Sequence, residues 1–361
     1  MRIAILGVGL IGGSIGRAAR SLIDDAVVVG FDPEPETMAR AVGVGAVNRA
    51  AASVGEACDG AELVVCAAPV SALIALAREA LEACGEDVVV TDVGSTKREI
   101  VEALGGDQRF IGGHPLAGVE TAGVGNARVD LFAGARWYLT PTGDSSGVLY
   151  DRLQRAIAGL GARPQAIDPG AHDRLMATIS HLPHVVANAL VAEASAELGR
   201  DSERLPEVGP SFRDTTRVAG SNPAIWGDIF ASNSEAVADA VEALGGRLRE
   251  AAELIRSGDG EAVAAWHAAA AEDRRRLLED EFKGGPLTEL RIVVANRPGT
   301  VAELALALGQ AGVNIEDMAL YPAPDMTSGA VSVWVSGAEQ ARSAVSLIER
   351  LGHSVSVLDG N

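Results

Sequence analysis

Four stretches of the chain hold side chains able to move a proton or hold an anion. Gly112-Gly113-His114-Pro115-Leu116-Ala117-Gly118 sets a histidine in a Gly/Pro-rich loop at the end of an expected strand. Imidazole titrates near neutrality, so beside a nicotinamide it would be a natural proton acceptor. Ser180-His181-Leu182-Pro183-His184 opens an expected helix, followed by Phe212-Arg213-Asp214-Thr215-Thr216-Arg217 and Ala224-Ile225-Trp226-Gly227-Asp228. His181 and His184 have a spacing seen in metal sites, but no cysteine or third ligand is evident, so no metal is expected. Taken singly, a loop histidine is more often structural, Trp226 more often core, and Arg213 a surface partner of Asp214. Their company turns the reading toward a site.

Two turns carry the remaining chemistry. Gly7-Val8-Gly9-Leu10-Ile11-Gly12 follows a strand and opens a helix. In that context the first glycine permits the tight turn and the second lets a pyrophosphate approach the backbone. The third allows close helix–strand packing, and the helix N-terminus holds the phosphate charge. Asp32 ends the next strand 20 residues after Gly12, where a carboxylate binds the ribose hydroxyls of NAD and repels a 2′-phosphate. NAD is the expected cofactor; Arg40, able to reach a 2′-phosphate, keeps NADP as the alternative. Asp92-Val93-Gly94-Ser95-Thr96-Lys97 likewise leads from strand to helix. Ser95 or Thr96 suits helix capping, and Ser95 also suits contact with cofactor and substrate at the strand's carboxyl end.

The elements that must position these residues fall into three segments. Strands at 2–6, 26–31, 62–67, 87–91 and 110–112 alternate with helices at 10–20, 34–41, 70–83 and 96–104. Strands at 136–140 and 163–167 flank a helix near 149–160. Continuous apolar strands between helices predict a parallel sheet covered on both faces, a Rossmann-type α/β domain over 1–168. From 169 to 283 only helical patterns occur (171–198, 221–245, 247–256, 259–282), with a break near Pro206, Gly209 and Pro210. An all-helical domain is expected there, its Ala-rich faces permitting close helix packing and dimerisation. After the linker Lys283-Gly284-Gly285-Pro286, residues 287–361 read as a ferredoxin-like βαββαβ domain, with its second strand over 313–321.

Composition narrows the function classes. At 361 residues, with 48% hydrophobic and 22% charged residues, the chain should form several folded domains rather than remain disordered. A net charge of −19 excludes a nucleic-acid partner unless a local basic stripe exists. The nearest run, Arg274-Arg275-Arg276, is flanked by Glu272, Asp273, Glu279, Asp280 and Glu281. Cys58, Cys66 and Cys84 form neither a disulfide framework nor a metal spacing and suit a reduced cytoplasm. Gly7, Gly9, Gly12 and Gly13 interrupt what could pass for a signal peptide. No later stretch reaches 18 uninterrupted apolar residues, so no membrane span is expected.

Taken in order, these motifs resemble the prephenate dehydrogenase family of tyrosine biosynthesis. The likeness runs from the fingerprint at 7–12 through the Gly94-Ser95-Thr96-Lys97 turn, the His114 loop, the His181/His184 helix and the Arg217 segment to Trp226. It implies NAD-dependent oxidative decarboxylation of prephenate to 4-hydroxyphenylpyruvate by a homodimer. His114 would bind the 4-hydroxyl and take its proton, with Ser95 beside it. Arg217 would hold a substrate carboxylate, His184 and His181 would lie near the pyruvyl side chain, and Trp226 would close the pocket. Gly209-Pro210-Ser211-Phe212 departs from the family's Gly-Gly pair before the Phe, which puts one backbone contact to substrate in doubt. The last segment resembles an ACT domain. That implies ligand binding around Asn296, Pro298, Gly299, Asn314 and Ile315, and tyrosine feedback; a module serving only dimerisation is the alternative.

Three other readings compete. Arogenate dehydrogenase would be favoured by a pocket carboxylate, for which Asp214 is the obvious residue. A 3-hydroxyacid dehydrogenase needs a lysine on the helical domain. The only lysines, Lys97 and Lys283, fall in the nucleotide domain and the linker. A non-catalytic amino-acid sensor is opposed by the intact set of His114, Arg217 and Asp32.

Overall fold

The computed structural model describes residues 1–117, 121–198, 208–278, 287–322 and 328–359; Gly118, Pro206, Glu279, Asp280, Glu281 and the expected linker at 283–286 lie outside them. The chain forms two compact units, Met1–Gly246 and Arg247–Asn361.

In the first unit the chain runs β1 (Arg2–Leu6), α1 (Leu10–Leu22), β2 (Val27–Phe31), α2 (Pro35–Gly43), β3 (Arg49–Ala50), α3 (Val54–Cys58) and β4 (Leu63–Cys66). It continues through α4 (Val70–Ala83), β5 (Val89–Asp92), α5 (Arg98–Leu104), β6 (Phe110–Pro115), β7 (Arg136–Thr140), α6 (Gly147–Gly159) and β8 (Arg163–Ala166). The sheet order is β3-β2-β1-β4-β5-β6-β7-β8. Alternate residues of each central strand enter different cores, which is why the strands read as unbroken apolar runs. Ile3 and Ile5 pack with Ile15 and Leu153 on one face. Ala4 and Leu6 pack with Leu73 and Ala77 on the other. The order reverses between β1 and β4, opening a crevice at the strands' carboxyl ends.

Two expectations need correction here. The sheet is not parallel throughout, because β7 pairs antiparallel with β6 and parallel with β8. Among the described residues between β6 and β7 there is no α-helix, only a 3-10 turn at Val124–Asn126, and β7 returns in the opposite direction. His114 therefore sits within a strand rather than a loop, opposite Tyr138 in that antiparallel pair.

Helices complete the unit. Asp168 caps α7 (Pro169–Met176) by accepting from Ala171 N–H at 2.8 Å. A π-turn, Ala177–His181, leads directly into α8 (Leu182–Leu198). Pro183 has no N–H to give the preceding turn, and the widened turn precedes it immediately. Next come α9 (Pro210–Thr216), a 3-10 turn at Arg217–Gly220, α10 (Pro223–Ser232) and α11 (Ser234–Ser257). The helices expected at 221–245 and 247–256 thus divide instead at Asn233, with α11 running through Gly245 and Gly246. By length and composition Pro169–Glu197 is apolar enough to cross a bilayer, which counting uninterrupted apolar residues missed. That helical run nonetheless buries three polar side chains, His172, Asp173 and His181.

The second unit holds the remainder of α11, then α12 (Gly260–Leu278), β9 (Leu287–Ala295), α13 (Thr300–Gln310), β10 (Asp317–Pro322), β11 (Ser328–Ser336), α14 (Ala338–Arg350) and β12 (Ser354–Asp359). An antiparallel sheet of order β10-β11-β9-β12 buries Ile292, Val333 and Val335 against Leu304, Leu308 and Ile348. The second strand begins at Asp317, not at 313. Local bonds claim the intervening backbone: Asn314 N–H donates to Gln340 Oε1 at 3.0 Å, and its amide donates to Glu316 Oε1 at 2.9 Å.

Candidate active site

At the β1–α1 turn each glycine meets a different demand. Gly7 has φ +93°, and a Cβ there would lie 2.4 Å from the Ala67 carbonyl oxygen. A Cβ on Gly12 would lie 2.0 Å from the Gly7 carbonyl, whereas one on Gly9 would meet nothing within 4 Å. Gly9 also caps α1 without a side chain, so the N-cap position gives no side-chain acceptor to the leading N–H groups that follow, those of Leu10 and Ile11 included. Asp32 closes the crevice wall, its Oδ2 accepting from Val8 N–H at 2.9 Å and its Oδ1 from Glu34 N–H at 3.1 Å. A carboxylate retains lone pairs beyond these two bonds, so it can still take a ribose hydroxyl. Open backbone donors and an acid at the ribose position fit a dinucleotide.

The β5–α5 turn is built differently. Neither Ser95 nor Thr96 caps α5, which begins at Arg98. Instead Asp173, from α7, accepts from Lys97 N–H at 2.7 Å and Arg98 N–H at 2.9 Å. Asp92 accepts from Gly94 N–H at 2.8 Å and Gly113 N–H at 3.1 Å, and pairs with the Lys97 ammonium. Lys97 also donates to the Gly113 carbonyl at 2.8 Å. Lys97, assigned from sequence to the nucleotide half and set aside, thus lies fully buried beside the candidate base. Burial pushes its ammonium pKa down, opposed by Asp92. Ser95 stays half-buried at the bend, and Thr96 Oγ1 meets Ser232 Oγ of α10 at 2.9 Å.

His114 is half-buried, and its Nδ1 lies 2.9 Å from Nε2 of His172. His172 Nδ1 in turn lies 2.8 Å from Asp173 Oδ1. Burial, then His172, Lys97 and His181, hold the His114 pKa well below the usual imidazole value, so the ring is neutral and able to accept a proton. His181 is buried with its pKa lowered to about 4, again chiefly by burial, and its Nδ1 lies 3.2 Å from the Asn233 amide. Trp226 joins the histidines, stacked on His184 at 3.4 Å between ring centroids and edge-on to His181 at 5.9 Å. Arg217 starts the 3-10 turn packed against α8, the helix that carries His184.

The structure therefore gathers His114, His181, His184 and Trp226, with Arg217 on an adjoining turn and Ser95 beside Gly94. Asn296, Pro298, Gly299, Asn314 and Ile315 belong to the second unit. No group of three or more His, Cys, Asp or Glu poised for a metal occurs among the described residues. Sequence reasoning missed Asp92, His172, Asp173 and Asn233. The adjacent pair His172-Asp173 was the available signal, but only the packing of α7 against α5 shows that it faces His114.

Family models match two consecutive stretches. Residues 15–165 fit the prephenate dehydrogenase nucleotide-binding domain, and residues 168–268 fit the prephenate dehydrogenase dimerization domain. Prephenate dehydrogenase of Bacillus subtilis (strain 168) is 28% identical over 356 residues, covering 96% of this chain and 95% of that protein. The crystal structure of prephenate dehydrogenase from A. aeolicus, in complex with hydroxyphenyl propionate and NAD+, matches with a TM-score of 0.72 at 30% identity, over 77% of this chain and 98% of that one. Synechocystis arogenate dehydrogenase matches with a TM-score of 0.68 at 26% identity, over 77% and 100% of the two chains.

Proposed function

The chain belongs to the prephenate dehydrogenase family, and from that premise we propose that it converts prephenate to 4-hydroxyphenylpyruvate by NAD-dependent oxidative decarboxylation. The observation that carries this reading is a half-buried His114, 2.9 Å from buried His172, in the same compact unit as the Gly7-to-Gly12 turn and Asp32 at the end of the next strand. NAD, when bound, supplies the two-electron acceptor. Leu10, Ile11 and Gly9 receive its pyrophosphate and Asp32 its ribose. His114 accepts the proton of the substrate 4-hydroxyl, and Ser95 hydrogen-bonds beside it. Loss of carbon dioxide makes the ring aromatic, so the protein's task is orientation more than force. Arg217 holds a carboxylate as a permanent, bidentate cation. His184 and His181 flank the side chain of the substrate, and Trp226, stacked on His184, closes the pocket.

Domains at 1–168, 169–283 and 287–361 suit this division of labour. The helical part makes a homodimer, a reading supported by the dimerization-domain match and by exposed Ile179, Leu190 and Val191 on the α7–α8 run. In the C-terminal module tyrosine binds around Asn296, Pro298, Gly299, Asn314 and Ile315. Gly299 at φ +93° and a buried Thr300 hydroxyl without a hydrogen-bond partner support a ligand there. Three unpaired cysteines suit a cytoplasmic enzyme. Arogenate is the second reading, favoured by the likeness to an arogenate dehydrogenase.

Initial rates with prephenate and arogenate, each with NAD and NADP and with or without tyrosine, test all of this. Prephenate with NAD should be fastest, and tyrosine should slow it. Preference for arogenate would overturn the substrate assignment, and preference for NADP would point to Arg40. Unchanged rates and no calorimetric heat with tyrosine would remove feedback.

A further inference from the structure

We propose that His172 and Asp173 are positioning residues that fix which ring nitrogen of His114 is basic. The inference rests on the prephenate dehydrogenase reading and deepens it.

The argument is one of donors and acceptors. Asp173 is buried, and N–H groups surround its carboxylate: Lys97 N–H and His172 Nδ1 at Oδ1, Arg98 N–H at Oδ2. A carboxylate has no hydrogen to give, so His172 carries its hydrogen on Nδ1. In the neutral ring Nε2 is then a bare lone pair, 2.9 Å from His114 Nδ1. His114 must donate across that gap. Its hydrogen sits on Nδ1, and Nε2 is left as the base.

Packing holds the chain of bonds in place. His172 is fully buried between the His114 ring (5.1 Å, 72°) and the Tyr138 ring (5.6 Å, 83°), edge-on to both. Other ionisable groups around the cluster are Lys97, matched by Asp92, Arg98, paired with Glu235, and His181. Lys97 and His181 both disfavour an extra proton on His114 at rest. His181 has the opposite tautomer. The Asn233 amide nitrogen donates to the Asp173 carbonyl at 2.8 Å and to His181 Nδ1 at 3.2 Å, which leaves the His181 hydrogen on Nε2. One cluster therefore presents an acceptor, His114 Nε2, and a donor, His181 Nε2–H. When the substrate hydroxyl proton moves to His114 Nε2, the new imidazolium keeps donating through His172 toward the Asp173 carboxylate. No second proton has to move.

Two-bond proton–nitrogen NMR on full-length protein with 15N-labelled histidine reads the tautomers directly. His114 and His172 should each show a protonated Nδ1 and a bare Nε2, and His181 the reverse. Asp173→Asn can donate to His172 Nδ1, which reverses both rings. It should lower kcat on prephenate about a hundredfold while KM and NAD affinity stay within about twofold. His172→Gln keeps an acceptor for His114 but loses Asp173, so kcat should fall about tenfold with the His114 tautomer retained. A bare Nδ1 on His114, an imidazolium at His172, or unchanged kcat in both variants would overturn the proposal. Should Asp173→Asn not fold because α5 loses its cap, the wild-type spectrum and His172→Gln decide alone. A wild-type protein with the expected tautomers but no turnover of prephenate refutes the functional reading instead.

Discussion

Two strand-to-helix turns open at the carboxyl edge of the same sheet, and they are built in opposite ways. The β1–α1 turn is stripped of side chains: Gly9 caps the helix with none, and Gly7 and Gly12 close the backbone on itself. The β5–α5 turn is filled by its own charges, with Asp92 and Lys97 buried against each other and Asp173 capping the helix from outside. One turn bonds its Gly7 and Val8 N–H groups to β2 and Asp32 and gives the helix that follows no side-chain cap. The other spends its donors within the protein and thereby clamps β6, the strand of His114, through both the N–H and the carbonyl of Gly113. A shared topology thus supports a glycine turn, which we read as the binding turn, and a holding turn built on an acid–lysine pair.

The sharpest way to break the contrast is His114→Asn, which removes the chemistry beside the holding turn and leaves the binding turn intact. Turnover of prephenate should fall about a thousandfold while NAD affinity, read by fluorescence titration, is unchanged. Retained turnover would remove His114 as base. Lys97→Met asks whether the holding turn is structural. Stranding Asp92 in the core should cost about 3–5 kcal/mol in urea unfolding, and a loss below about 1 kcal/mol would show that the pair clamps nothing.

Smaller effects separate the glycines and the histidines. Gly9→Ala should leave the melting temperature unchanged yet weaken NAD binding about tenfold, because its Cβ enters only ligand space. Gly12→Ala should weaken both, since its Cβ meets backbone; equal behaviour of the two variants would refute distinct roles. A contrast in the titration of the histidines is read by pH dependence. His181 titrates at about 4 in the fold against 6.5 as its ordinary value, and His114 is shifted in the same direction. The unfolded chain then binds more protons across this window. Stability is therefore full above about pH 6.5 and is lost as pH falls toward 4, by about 2 kcal/mol for His181 between pH 7.5 and 5. Flat urea midpoints over that range would mean the ring is not held neutral.

Much of this was readable before any coordinates. Gly7, Gly9 and Gly12 announced the tight strand–turn–helix that the structure shows, and Asp32 the end of the next strand, because these depend on local backbone and on spacing along one βαβ unit; their part in binding a nucleotide is our proposal. The alternating pattern of the first 168 residues implied a covered sheet for the same reason. Legibility failed where contacts joined distant segments. Ser95 and Thr96 look like caps by position, yet Asp173 arrives from 75 residues away to cap α5. His114 looked like a loop residue because Gly112, Gly113 and Pro115 surround it, and only pairing with β7 makes it a strand. Asn314 and Ile315 looked like strand, yet the Asn314 backbone N–H donates to Gln340 Oε1 and its side-chain amide to Glu316 Oε1, and the strand starts only at Asp317.

By itself the sequence determined which residue types could do chemistry, the glycine turn between β1 and α1, and the family to which the motifs belong, since these follow from local backbone needs and short spacing. Only the tertiary structure decided what surrounds His114. Burial, the buried Lys97–Asp92 pair and the His172–Asp173 pair act through space over a few ångströms, and the bonds that bring them to His114 and to one another join residues up to 76 positions apart. A side chain's tautomer and charge depend on those neighbours, and no pattern along the chain specifies them.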